Sequence, residues 1–296
     1  MTTAPPIRDD EVVAYRQALG IPGIVDVHVH FMPHSVMRKV WAYFDAAGPL
    51  TGRDWPIEYR WPEADRLAHL RGMGVRAFSS LVYAHKPEMS AWLNEWSLAF
   101  AAENPDVIPT ATMFPEPGVV GYVDQALRCG AKLFKVHVQV GGFDPRDPML
   151  DDGWGMLADA GVPVVVHAGS GPTPGTFTGP GPIGEVLERH PSLAMISAHM
   201  GMPEYDEFLD FAETYDNVMV DVTMCFTDFA GSADLAPRLA PRLDTLRDKV
   251  LFGSDYPNIP YAYAHQIVAL HRLELGDDWM RAVLWDNGAR LFGVTA

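Results

Sequence analysis

Hydrophobic residues along this chain follow two rhythms. Short aliphatic and β-branched runs recur every few tens of residues, and between them apolar positions return at helical spacing. The runs predict eight strands, at 24–30, 75–82, 107–113, 133–138, 164–167, 194–199, 218–222 and 250–255. Helices fall between them, written "PEADRLAHLRGM", "PEMSAWLNEWSLAFAAEN", "GVVGYVDQALRCG", "DDGWGMLADAG", "IGEVLERH", "PEYDEFLDFAETY" and "LAPRLAPRLDTLRDK". Several open on Pro-Glu and close near Gly or Asn, as helices tend to. Eight strand–helix units in about 250 residues is the count of a (β/α)8 TIM barrel, with a doubly wound sheet as the alternative. No linker, low-complexity tract or repeat divides the chain, so 1–296 is expected to be a single domain, with 1–22 an N-terminal helical extension.

One strand has an unusual polarity. In "IVDVHVHFMP", Val25, Val27 and Val29 alternate with Asp26, His28 and His30, so one face is aliphatic and the other carries a carboxylate and two imidazoles. In a barrel of this kind catalytic groups sit at the carboxyl ends of strands, and the same placement recurs. "KLFKVHV" carries Lys135 and His137 on one face, "VPVVVHAG" ends on His167, "MISAHMG" ends on His199 and "VLFGSDYP" ends on Asp255. With 11 histidines in 296 positions, a chance His-x-His is expected about 0.4 times, so the pair alone says little. Five strand ends carrying ligand-type residues say more. Burying imidazoles and carboxylates together is costly unless they are hydrogen-bonded or share a cation.

Charge narrows the partners. The balance of 22 basic against 38 acidic residues gives −16, and there is no Lys/Arg cluster, which argues against nucleic acid or an anionic membrane and for a small-molecule substrate. No run of about 18 apolar residues exists, and the first twenty lack the basic start and apolar stretch of a signal peptide, so a soluble, cytoplasmic protein is expected. Cys129 and Cys225 lie far apart and outside any Cys-x-x-Cys, which supports neither a disulfide nor a thiolate zinc site.

The stretches "DVHVHF", "FKVHV", "VVVHAG", "SAHMG", "FGSDYP" and "NGARLFG" resemble the amidohydrolase superfamily, in particular the amidohydrolase-2 branch that includes relatives of aminocarboxymuconate-semialdehyde decarboxylase. The resemblance runs from Ile24 to Gly293. It implies that His28, His30, His167 and Asp255 bind a catalytic divalent metal, usually zinc. His199 then acts beside that metal in a mononuclear site or binds a second one in a binuclear site. Lys135 stands where binuclear members carry a carboxylated lysine, but mononuclear relatives also have Lys-x-His there, and one metal is the expectation. Such a donor set also suits Zn2+ on its own chemistry, with Mn2+, Fe2+ and Co2+ compatible, and leaves a position for water. Asp255 would accept the water's proton and deliver it to a leaving group, while His199 would hydrogen-bond the nucleophile or the developing oxyanion. The activity implied is hydrolysis of a C–N or C–O bond in an amide, cyclic amide or lactone. A non-oxidative decarboxylase or hydratase of a small carboxylate is the alternative.

Weaker signals surround this set. Asp26 either orients a metal-bound histidine or bonds to backbone, and His137 either lines the pocket or is a hydrogen-bonded wall residue. His34 and His85 follow strands, whereas His69, His190, His265 and His271 lie in or beside predicted helices and are expected to have no catalytic role. The loop "GSGPTPGTFTGPGP" lacks the Gly-Lys-Ser/Thr of a phosphate loop and reads as a rigid pocket wall. The insertion at 31–61, rich in aromatics and containing Arg53 and Arg60, is either a lid and substrate wall or a packing surface for the second subunit of a homodimer.

Overall fold

The computed structural model describes residues 2–295; Met1 and Ala296, the ends of the expected single domain, lie outside the described residues. The strands are β1 (Ile24–Asp26), β2 (Val75–Ser79), β3 (Val107–Ile108), β4 (Thr110–Thr112), β5 (Leu133–His137), β6 (Val164–His167), β7 (Met195–Ser197), β8 (Val218–Asp221) and β9 (Val250–Leu251). The third predicted strand is thus two short ones, β3 and β4. Pro109 separates them because it has no N–H to give to a ladder.

Every predicted helix is present, at Glu63–Met73, Ser90–Glu103, Val119–Arg128, Pro148–Ala160, Pro180–Arg189, Tyr205–Thr214 and Ala236–Thr245, and the N-terminal one spans Val12–Leu19. Helices at His34–Asp45 in the insertion and at Tyr263–His271, and short ones at Gly48–Thr51 and Val138–Gly141, were not anticipated. Gly74 shows how the sequence switches element: at φ +83 it ends Glu63–Met73 in the left-handed conformation that suits glycine, and β2 starts on the next residue. Among the described residues no helix is long and apolar enough to cross a membrane.

The chain forms two compact units. One comprises Met1–His30, Arg38–Phe78 and Asp221–Ala296. Within it β1 and β2 run parallel, with Ile24 opposite Val75 and Asp26 opposite Phe78. Beyond Asp26 the first predicted strand continues as irregular parallel pairing with the segment after β9. Val27 N–H donates to Phe252 O (3.0 Å), Asp255 N–H to His28 O (2.8 Å) and His30 N–H to Tyr256 O (2.7 Å). The other unit comprises Phe31–Met37 and Ser79–Val220. There β4, β5, β6, β7 and β8 lie side by side, all parallel, in a register that sets Thr112 beside Lys135, His137 beside His167 and Ser197 beside Val220. Phe134, Val136, Val164, Val165, Met195 and Ile196 are fully buried along it, as expected where a parallel sheet is covered on both faces.

Candidate metal centre

The first unit gathers His28, His30 and Asp255 so that one ligand atom from each lies within 4.8 Å of the others. His30 Nε2 is 2.9 Å from Asp255 Oδ1 and His28 Nε2 is 3.9 Å from the same oxygen. All three side chains are buried. The strand alternation places the two histidines on one face, with ring centroids 5.2 Å apart. Asp255 meets them from a backbone at φ +68, a conformation that costs a non-glycine residue about 1 kcal/mol or more and that clusters at functional sites. The adjoining turn is closed by Asn258 N–H donating to Asp255 O (2.8 Å).

A residue the sequence reading passed over supports this cluster. Asp221, fully buried at the end of β8, lies 2.9 Å from His28 Nδ1. An ionised carboxylate only accepts, so Nδ1 carries the hydrogen and Nε2 presents its lone pair on the side of Asp255. The signal was available: "VMVD" is an aliphatic run ending in a carboxylate, as "VLFGSD" is. The other Asp221 oxygen is held by the Thr223 N–H (3.1 Å). Gly253 allows these groups to close up, since a Cβ there would lie 2.1 Å from Thr223 Oγ1 and 2.7 Å from His28 Cβ.

Asp26 takes the second of its two expected roles. Its Oδ1 accepts the backbone N–H groups of His28 (3.1 Å) and Ser254 (3.2 Å), and its Oδ2 accepts the Tyr263 hydroxyl (2.9 Å). It therefore clamps the backbone at His28 and at Ser254, next to Asp255. Complete burial pushes its carboxyl up to about 7, against the opposing pull of these hydrogen bonds. Burial raises the Tyr263 phenol strongly as well, with the Asp26 charge adding to it, so the phenol keeps its proton and donates.

In the second unit the predicted residues form a different cluster. The His137 and His167 rings stack at 4.0 Å and 14°, and His199 lies 4.8 Å from His167. His167 Nε2 is 3.0 Å from Gly171 O; a carbonyl only accepts, so Nε2 carries the hydrogen and Nδ1 the lone pair. His137 accepts the Val140 N–H at Nδ1 (3.3 Å), capping the short helix Val138–Gly141. The predicted sixth strand stops short of His199: β7 ends at Ser197, and His199 and Met200 follow in a tight turn at φ 53 and 51. Lys135 is fully buried, its carbonyl accepting the Thr112 hydroxyl (2.7 Å). The loop after His167 is seated directly on the one after His199, because a Cβ at Gly169 would lie 2.5 Å from the Gly201 backbone and Gly171 N–H donates to Met202 O (2.9 Å).

Other candidates fall elsewhere. His34 and His85 are exposed. His69, His190 and His271 pair with Asp9, Asp151 and Tyr15, and His265 lies 3.9 Å from Asp228. Arg60 pairs with Asp45, and Arg53 lies 5.2 Å from the Phe229 ring. From the insertion, Trp41 and Trp55 donate their indole N–H groups to Asn258 Oδ1 (3.2 Å) and O (2.7 Å), just beyond Asp255. Cys225 is buried with its thiol pushed well up by burial, which leaves it inert.

The first cluster fits a divalent cation. Two imidazole nitrogens and a carboxylate oxygen converge in a buried space, a borderline-hard donor set whose lone pairs a shared cation would satisfy.

The amidohydrolase family model matches residues 25–294. An uncharacterized TIM-barrel protein from Bordetella bronchiseptica is 21% identical, with 92% of this chain and 98% of that one covered and a TM-score of 0.70. A probable 2-pyrone-4,6-dicarboxylic acid hydrolase from Acinetobacter baumannii is 15% identical, covering 92% and 99%, with a TM-score of 0.63. The 5-carboxyvanillate decarboxylase of Sphingomonas paucimobilis is 15% identical, covering 93% and 100%, also with a TM-score of 0.63. No curated protein matches the sequence. These likenesses show the fold expected from the strand count, the (β/α)8 barrel.

Proposed function

The chain belongs to the amidohydrolase family, and from that premise we propose that it is a divalent-metal hydrolase cleaving a C–N or C–O bond of a small molecule such as an amide, cyclic amide or lactone. The convergence of His28, His30 and Asp255, with the tautomer of His28 set by Asp221, carries this reading. When bound there, a divalent ion, zinc by preference, supplies an electrophile that acidifies a water towards a pKa of about 7 and polarises the scissile carbonyl. Asp255 would serve as the proton acceptor for the attacking water and would return that proton to the leaving group. His199 hydrogen-bonds the substrate oxygen on which charge develops. The family resemblance makes His167 a further candidate donor. The enzyme acts in the cytoplasm, as a homodimer if the insertion's outer face packs on a second subunit.

A carboxy-lyase reading stands beside it, because the decarboxylase among the solved structures is as similar in fold as the hydrolase. Purified protein should hold about one divalent transition metal per chain, and chelation should abolish activity. On a panel of amides, lactones and aromatic carboxylates, appearance of the amine or hydroxy acid identifies the hydrolase and CO2 release the lyase. Protein that binds no divalent metal and turns over unaffected by chelator would sink both. kcat/KM should fall on acidification, because protons compete with the metal for its ligands, and excess metal should shift that limb.

A further inference from the structure

The N-terminal segment, read from sequence as an extension, carries a carboxylate hydrogen-bonded into the scaffold of the metal centre. Asp9 Oδ2 accepts the Tyr59 hydroxyl (2.5 Å) and His69 Nε2–H (2.8 Å), and its Oδ1 accepts the Ala264 N–H (2.9 Å). The Tyr59 oxygen in turn accepts the Tyr263 N–H (2.6 Å). Both bonds to the peptide groups of Tyr263 and Ala264 thus depend on Asp9, directly or through Tyr59. Tyr263 hands the connection on: its hydroxyl donates to Asp26, which holds the N–H groups of His28 and Ser254. Tyr59 is 1% exposed and Tyr263 and Asp26 are 0% exposed, so water offers none of them a substitute partner.

We propose that Asp9 is a positioning residue for the metal centre, fixing Tyr263 and, through Asp26, the backbone of His28 and of Ser254 next to Asp255. This rests on the metal reading above. The segment is also tethered at a second point, where Thr3 N–H and hydroxyl donate to Asp277 (both 2.9 Å), and among the described residues no chain of hydrogen bonds joins that contact to Asp26. The two tethers differ in their reach, which separates positioning from holding the segment down.

The full chain is tested as Asp9→Ala, Asp9→Asn, Tyr263→Phe, Asp9→Ala with Tyr263→Phe, and Asp277→Ala, with zinc affinity measured by competition against a chromophoric chelator. Asp9→Ala and Tyr263→Phe should each weaken zinc binding about tenfold, the lower end of the cost of losing a group that orients a ligand. Asp9→Asn, which keeps one acceptor oxygen, should lose less and serves if the alanine protein does not fold. The double variant should lose no more than the worse single, because both cut one chain of bonds. Asp277→Ala should lower the melting temperature and leave zinc affinity within twofold. Unchanged zinc affinity in the Asp9 variants, full additivity, or an equal loss in Asp277→Ala would overturn the proposal. Wild-type protein that binds no zinc would instead overturn the metal reading, and amide exchange in metal-free protein then decides. Faster exchange at His28 and Ser254 in the Asp9 variants upholds the coupling, and unchanged exchange ends it.

Discussion

The two histidine-bearing regions are braced by different means. In the first unit the segments that bring His28 and Asp255 together are tied to buried carboxylates: Asp221 on the His28 ring, and Asp26 on the backbone of His28 and Ser254. In the second unit the rings lean on one another and on backbone, with His137 stacked on His167, His167 bonded to Gly171 O, and His199 on a left-handed turn. A carboxylate brace fixes tautomer and raises ligand basicity, which is what a metal ligand needs. Stacking and backbone bonds fix where a ring sits. The first cluster therefore has the carboxylate bracing that the proposed metal site calls for.

The largest effects should expose this division. His28→Ala should lower zinc affinity by 100-fold or more because it removes a donor, and Asp221→Asn, which keeps the shape but loses the charge, by about 10 to 100-fold. His137→Ala should leave zinc bound. Metal analysis of the three proteins checks this, and full occupancy in His28→Ala would remove the ligand assignment. Next in size, His199→Ala should keep its metal and lose kcat by about 100-fold, the usual scale for an acid–base or oxyanion partner. Zinc loss in step with activity would make His199 a ligand and dissolve the contrast.

A smaller effect probes packing. Gly253→Ala puts a methyl group against Thr223 and the Cβ of His28, neither of them the far end of a flexible side chain. Overpacking of this kind costs about 1–3 kcal/mol, and here the strain falls on a ligand, so zinc affinity and melting temperature should drop together. A stable Gly253→Ala protein with wild-type zinc affinity would mean that the strand bearing His28 can shift without moving the site.

How much of this the sequence disclosed follows from how local each cause is. The convergence of His28, His30 and Asp255 was legible because each follows an aliphatic run, and burial patterns are local. Pro109 was equally visible, but the run 107–113 hid the break because the residues on both sides of it favour strand. The turn at His199 was not legible, since a positive φ at a histidine is imposed by tertiary packing rather than by the residue. Asp221 had its signal and was passed over, a carboxylate among many in a chain with 38 acidic residues. Asp9 had none: its partners Tyr59, His69 and Ala264 lie 50, 60 and 255 residues along the chain, and no periodicity links them.

Asp9 also supplies the smallest and most specific test of carboxylate bracing, through pH. Burial pushes its carboxyl up, but hydrogen bonds from His69, Tyr59 and the Ala264 N–H, together with the His69 charge, outweigh burial and hold it below the usual carboxylate range. A carboxyl whose pKa is lower folded than unfolded binds fewer protons in the native state, so its contribution is complete above the unfolded value of about 3.9 and fades as pH falls through the folded one. The stability gap between wild-type and Asp9→Asn protein, measured metal-free by urea unfolding, should therefore be constant from pH 7 to about 5 and narrow below about 4. The site is partly open to solvent, so the gap should be modest and should shrink with added salt. A gap that widened on acidification would place the proton on Asp9 already at neutral pH, and the brace would then be a neutral hydrogen bond rather than a charge.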